Sequence, residues 1–195
     1  MTSTSTDAGP PVWEPPLTGT DAEQIVAALD RQRSTFRWKA DGLDTDGLTQ
    51  RIGASSLTLG GLLNHLAFVE DLYSGHELSG ADVDARWHSL QQEGGWTAHF
   101  SPDASPEELY ALYDEAVVRS RERIATAIEQ GDLDQPTHMG IPDVGQANLR
   151  RLLLDLLEEY GRHTGHADLL RESVDGRTGE DPAEDWVSPW DRPAG

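Results

Sequence analysis

The stretch from Leu149 to Leu170, LRRLLLDLLEEYGRHTGHADLL, constrains this chain more than any other. Leu149, Leu152, Leu156, Glu159, His163, His166 and Leu170 follow one another at alternating steps of three and four residues. That spacing is the seam of an amphipathic helix turned toward a core. The first half of the seam is leucine, and the second half is Glu, His, His and then Leu again. A carboxylate and two imidazoles on a buried stripe cost on the order of several kcal/mol in desolvation unless something pairs with them. A divalent metal ion is the commonest reason to place them there.

Three more segments carry the same period. Thr20 or Asp21 caps a helix running to about Asp41, with Ile25, Ala28, Leu29, Gln32, Phe36 and then Lys39 or Ala40 inward. Ser56 or Thr58 opens a second, reaching Leu78. In it Thr58, Leu62, His65, Val69 and Leu72 form the seam, and Leu59, Leu63, Leu66 and Tyr73 widen it. His65 therefore falls in the middle of an apolar face. Gly60 and Gly61 are poor helix formers, expected to let another element come close to the first turn. Ser105-Pro106-Glu107-Glu108 places Ser at the cap, Pro at the first position and Glu at the third, opening a third helix that runs to about Gln130. Asp132 to Gly145 reads as a loop, and the fourth helix as about Gln146 to Asp175, ended by Gly176. No strand-like alternation competes with these patterns. The expected fold is all-α, an antiparallel four-helix bundle with a long crossover connection. Residues 1–19 read as a flexible arm with Trp13 docking on the body, 20–176 as the bundle, and 177–195 as a polar tail.

Composition narrows the chemistry. The formal net charge is −20, from 35 acidic and 15 basic residues, so the surface repels nucleic acid and anionic membranes. Lys39 is the single lysine, which leaves almost no candidate for Schiff-base chemistry. There is no cysteine, hence no disulfide, no thiolate ligand and no Cys nucleophile; any thiol chemistry needs a thiol brought by another molecule. No long apolar run suggests a membrane span and the N-terminus lacks a signal peptide's pattern, so a cytoplasmic protein is expected.

Glu159 and His163 lie four residues apart and His163 and His166 three apart. Both spacings put side chains on neighbouring turns of one face, about 5–6 Å apart at Cβ. A further ligand must come from another helix, and His65 is the one other histidine centred on an apolar helical face. Imidazole and carboxylate suit Zn²⁺, Ni²⁺, Fe²⁺ or Mn²⁺ better than Ca²⁺ or Mg²⁺. The candidate metal ligands are thus His65, Glu159, His163 and His166, with the choice between Glu159 and His166 for the last place left open. His76, His88, His99 and His138 read as solvated surface. Trp87, Trp96, Tyr73 and Tyr160 read as core or lid packing that could also line a pocket mouth. The segment Leu78 to Pro102 is long enough to wall a substrate cavity.

LTLGGLLNHLAFVEDLY followed by LRRLLLDLLEEYGRHTGHADLLRESVDGRTG resembles the DinB-like superfamily over about Thr20 to Glu180. The likeness is closest to its branch of small actinobacterial-type proteins, and the chain looks related to the branch of mycothiol-dependent maleylpyruvate isomerase and mycothiol S-transferase. The resemblance implies a four-helix bundle with a metal held between helices by His65, by its place in GGLLNHL, and by His163, by its place in RHTGHAD. Glu159 stands where many members carry a third His ligand. A Glu there matches the isomerase pattern of two His and one Glu, and His166 falls where many members carry Gln. The activity implied is that of a metal-dependent thiol S-transferase, zinc most of all, with a low-molecular-weight thiol such as mycothiol as co-substrate and a small electrophile as substrate. The alternatives are a metal-dependent hydrolase with Glu159 as base, a non-catalytic metal or small-ligand binding protein, and a bundle whose polar seam makes a homodimer interface.

Overall fold

The computed structural model describes residues 10–88 and 95–192, without the side chains of residues 95 and 96. The chain is mostly helical, with a small two-stranded sheet. Four long helices dominate: α1 (Asp21–Ala40), α2 (Leu59–Asp71), α3 (Pro106–Gln130) and α4 (Leu149–Asp175). Their starts are chemically marked. Thr20 and Ser105 each form a reciprocal capping box, with Glu23 and Glu108 respectively, so backbone donors without intrahelical partners are satisfied locally. Thr58 caps α2 by accepting from the Gly61 N–H, and Asn148 caps α4 by accepting from that of Arg151. Gly176 ends α4 in the left-handed conformation at φ +79°.

Side-chain pairs fix the directions. Arg150 reaches Asp21 at 2.8 Å and Arg171 reaches the Lys39 carbonyl at 2.9 Å, so α1 and α4 run parallel. Arg119 bonds Asp71 at 3.0 Å and Arg123 bonds Ser74 at 3.3 Å, while Gly60 lies beside Leu109; α2 and α3 also run parallel. The two pairs oppose each other, since Arg37 meets Asp114 and Asp30 meets Arg121 across α1 and α3, while His65 meets His163 and Glu70 meets Tyr160 across α2 and α4. The connection from α2 to α3 is therefore the crossover. Leu62, Leu66, Val117, Leu152 and Leu156, from three of the helices, fill the core between them.

Several details depart from the expectations. The α-helical part of α2 stops at Asp71 and continues to Glu77 as a π-helical turn. The expected loop after α3 holds an antiparallel hairpin, β1 (Pro136–Ile141) and β2 (Gly145–Asn148), turned through Asp143 at φ +65°. Pro at the first strand position and an irregular register between Pro136 and Gly140 hide the two-residue period that would have announced it. Because β2 runs directly into α4, that helix begins at Leu149 rather than Gln146. Where the N-terminal segment is described, it touches the body: Arg31 lies over the Trp13 ring at 5.9 Å and pairs with Glu14. Residues 1–9 of the arm lie outside the described residues. The C-terminal segment also returns to the body, through Arg31–Asp181 at 2.9 Å, Arg121–Asp191 at 3.0 Å and Trp190 edge-on to Tyr113. No helix among the described residues is long and apolar enough to cross a membrane.

Candidate metal centre

Three of the four expected ligands meet. His65, Glu159 and His163 each offer one donor atom, and the three atoms lie within 4.8 Å of one another. His65 Nε2 is 3.1 Å from Glu159 Oε1, and His163 Nε2 is 3.3 Å from the same oxygen. The imidazoles are 3 % and 5 % exposed, while the Glu159 side chain keeps 23 % of its surface. The site is thus a buried pair of imidazoles with a carboxylate at its open edge. Tetrahedral ligation with bonds of about 2.0–2.1 Å puts neighbouring donors about 3.3–3.4 Å apart. The two distances observed suit a hydrogen-bonded triad and a shared ion equally, and the donor set fits a divalent metal.

Helix geometry explains the convergence. Glu159 and His163 are one turn apart on α4, and α4 opposes α2 with His65 in the facing seam. A buried polar hub one residue away pins the two helices. Glu70 of α2 accepts from Arg33 through both its oxygens at 2.7 Å, and from the Tyr160 hydroxyl at 2.6 Å. Tyr160 in turn contacts Tyr113 of α3 at 2.9 Å. Tyr160 adjoins Glu159 in sequence, so this network sets the rotation and depth of α4 at the site. The hub was not among the expected features. Its signal was present: Arg33 falls in the seam Leu29, Arg33, Phe36, Ala40, and Glu70 in Leu63, Ala67, Glu70, two opposite charges each on a core stripe.

Electrostatics favour an ionised carboxylate beside a neutral His65 ring. Hydrogen bonds from His163, and then from His65, hold the Glu159 carboxyl well below the ordinary carboxylate range. Burial pushes His65 below the usual imidazole value, and its bond to Glu159 does not reverse that. His65 is therefore neutral at pH 7.

His166 stands outside the triad. Its Nδ1 lies 3.3 Å from His163 Nδ1, on the side of the ring away from Glu159. It can orient His163, the role that a carboxylate or carbonyl commonly fills beside a ligand imidazole. Between Glu159 and His166, the geometry brings Glu159 to the other two donors. Arg162 pairs with Glu158 and reaches Glu159 at 3.4 Å, at the exposed rim.

One residue near the site departs from the expected reading, and a second enters it unannounced. His99, expected on the surface, is fully buried with its ring stacked on Phe68 at 3.8 Å. Phe100 was not singled out, yet its ring stacks on His65 at 4.0 Å and lies 5.8 Å from His163. Trp87 and Tyr160 are core, as expected; Trp87 donates to Asp71 at 3.1 Å. Of the expected cavity wall, Leu78 to Pro102, residues 89–94 lie outside the described residues, as does the side chain of Trp96. Of the polar seam, His163 is buried against α2, while Glu159 and His166 are half-buried.

No curated protein matches this chain. A family model described as Mycothiol-S-transferase matches residues 24–176, a span that holds all four long helices but the first residues of α1 and every residue of the triad. The chain therefore belongs to the mycothiol-S-transferase family.

Proposed function

We propose that the protein is a metal-dependent thiol S-transferase using mycothiol, with His65, Glu159 and His163 as the metal ligands and His166 holding His163. In this reading the four long helices form a DinB-like four-helix bundle spanning 20–176, flanked by an N-terminal arm and a C-terminal segment. The observation that carries it is the meeting of two buried imidazoles and one carboxylate in a chain of this family. Zinc suits the donor set best, with nickel, iron or manganese as substitutes.

A divalent ion held there would lower the pKa of a thiol brought against it, making thiolate available at neutral pH. The chain's own groups prepare the place. Glu159 stays ionised across the working pH range and supplies negative charge to a cation. His65 stays neutral, so its nitrogen is free to coordinate. The surrounding burial keeps bulk water from the two rings. The sulfur must come from the co-substrate, since the chain has no cysteine. Its thiol gives up a proton to solvent, and the sulfur's electron pair forms the new bond to an electrophilic carbon of the second substrate as that carbon's bond to a leaving group breaks, the leaving group departing with the pair. The shared oxygen of Glu159 lies against both rings, which supports a ligand role over that of a general base for water.

Elemental analysis of the purified protein, with thiol consumption followed in the presence of an electrophile, tests the reading. About one divalent metal per chain and turnover only with added mycothiol are expected. His163→Ala and Glu159→Gln should lose both metal and turnover. Equal trace metal in wild type and variants, or equal turnover without thiol, would overturn it.

A further inference from the structure

A ligand imidazole ordinarily donates its second N–H to a carboxylate, carbonyl or water, and that bond fixes the ring. His163 has such a partner in His166. His65 does not: its Nδ1 is buried and has no hydrogen-bond partner among the described residues. Something else must hold the ring at the angle that aims Nε2 toward Glu159.

Phe100 is placed to do so. Its ring lies nearly parallel to His65, 14° apart with centroids at 4.0 Å. It is delivered by the short 3₁₀ segment Gly95–Phe100, which is fastened to α2 at two points. The Asn64 side-chain amide donates to the His99 carbonyl at 3.0 Å. One turn earlier, Gly61 leaves room for the Phe100 carbonyl; a methyl group there would overlap that oxygen. Gly61, Asn64 and His65 thus present a glycine gap, an amide clamp and an imidazole face to the end of one incoming 3₁₀ segment. The close approach expected of Gly60 and Gly61 has a specific purpose at Gly61.

We infer that Phe100 is the positioning residue for His65, fixing the ring by face-to-face stacking in place of a hydrogen bond, with Gly61 as the gap that makes the stack reachable. The inference rests on the reading of His65 as a metal ligand for its consequence, though not for its geometry. With Nδ1 unpartnered and only the Nε2 contact to Glu159 left at the ring's edge, the ring can pivot about Cβ–Cγ once the stacking partner is gone. Loss of Phe100 should therefore weaken metal binding without removing any donor atom.

The test uses the full chain and Co²⁺ or Zn²⁺ alone. Loss of a group that orients a ligand costs about 10–100-fold in metal affinity. Phe100→Leu should weaken binding by that factor in competition with a chelator, and should alter the visible absorption of the Co²⁺ form. Phe100→Tyr, which keeps the ring, should restore both. Gly61→Ala, which alters neither ring, should weaken binding like Phe100→Leu; far-ultraviolet circular dichroism of the metal-free variants would show the helices intact. In metal-free protein, the His65 ring protons should be shifted upfield by the stack and lose that shift in Phe100→Leu. Wild-type affinity and absorption in Phe100→Leu would overturn the inference, as would failure of Phe100→Tyr to restore either. If wild type binds no ion, the functional reading falls, and the His65 ring shifts alone decide the orienting role: unchanged shifts in Phe100→Leu would overturn it.

Discussion

At the scale of single residues, the molecule's chemistry lies in one carboxylate oxygen shared between two rings. The folded state holds Glu159 below its ordinary range, so the metal-free unfolded chain takes up a proton at a higher pH than the folded one does. The stability this contributes is whole above the ordinary carboxylate value near 4.5 and is lost as pH falls through and below it. Thermal midpoints of metal-free protein should drop across that acid window, and Glu159→Gln should flatten the drop. His65 shifts in the same sense for another reason. Burial lowers its pKa, so protonation below about pH 6.5 also favours the unfolded chain. Burial lowers His99 and His166 in the same sense, so His65→Gln should reduce that upper part of the acid sensitivity without abolishing it. Most of the Glu159 part should remain, since His163 is its larger cause.

At the scale of elements, the long helices were legible and their connections were not. The seams of α1, α2, α3 and α4 and the capping signals at Thr20 and Ser105 could be read directly, because burial of one face imposes its period on the side chains. The β1–β2 hairpin could not, since PTHMGI has no alternation and its pairing slips before Gly140. His65, Glu159 and His163 were legible as polar members of apolar seams; Phe100 was not, because nothing in a loop sequence tells which ring it will meet. The Arg33–Glu70 pair shows in the sequence as two opposite charges on core stripes. It ties α1 to α2 with both side chains at 1 % exposure or less. Removing one partner of a buried pair leaves an uncompensated charge, so Glu70→Gln or Arg33→Met should cost about 3–5 kcal/mol in chemical denaturation. At the end of α4, Gly176→Ala places a side chain at positive φ and should cost about 1–2 kcal/mol, without touching metal affinity.

At the scale of the whole molecule, the charge of −20 predicts behaviour rather than fold. The protein should show no affinity for duplex DNA in a mobility-shift assay at physiological salt, even where the metal centre is full. The arrangement of the long helices has a more particular consequence. α2 and α3 point the same way, so the chain leaving the π-helical turn at Glu77 must travel back along the whole of α2 before α3 can start. Those 19 residues, Leu59 to Glu77, span roughly 28 Å at about 1.5 Å each. The return leg passes the end of α2 that bears His65. The donors themselves stand on helices, whereas the Phe100 ring laid against His65 belongs to that connector. Lengthening or trimming that connector outside residues 95–102 should leave the three donor atoms and the Phe100 stack where they are, because Asn64 and Gly61 fasten the segment to α2 on their own.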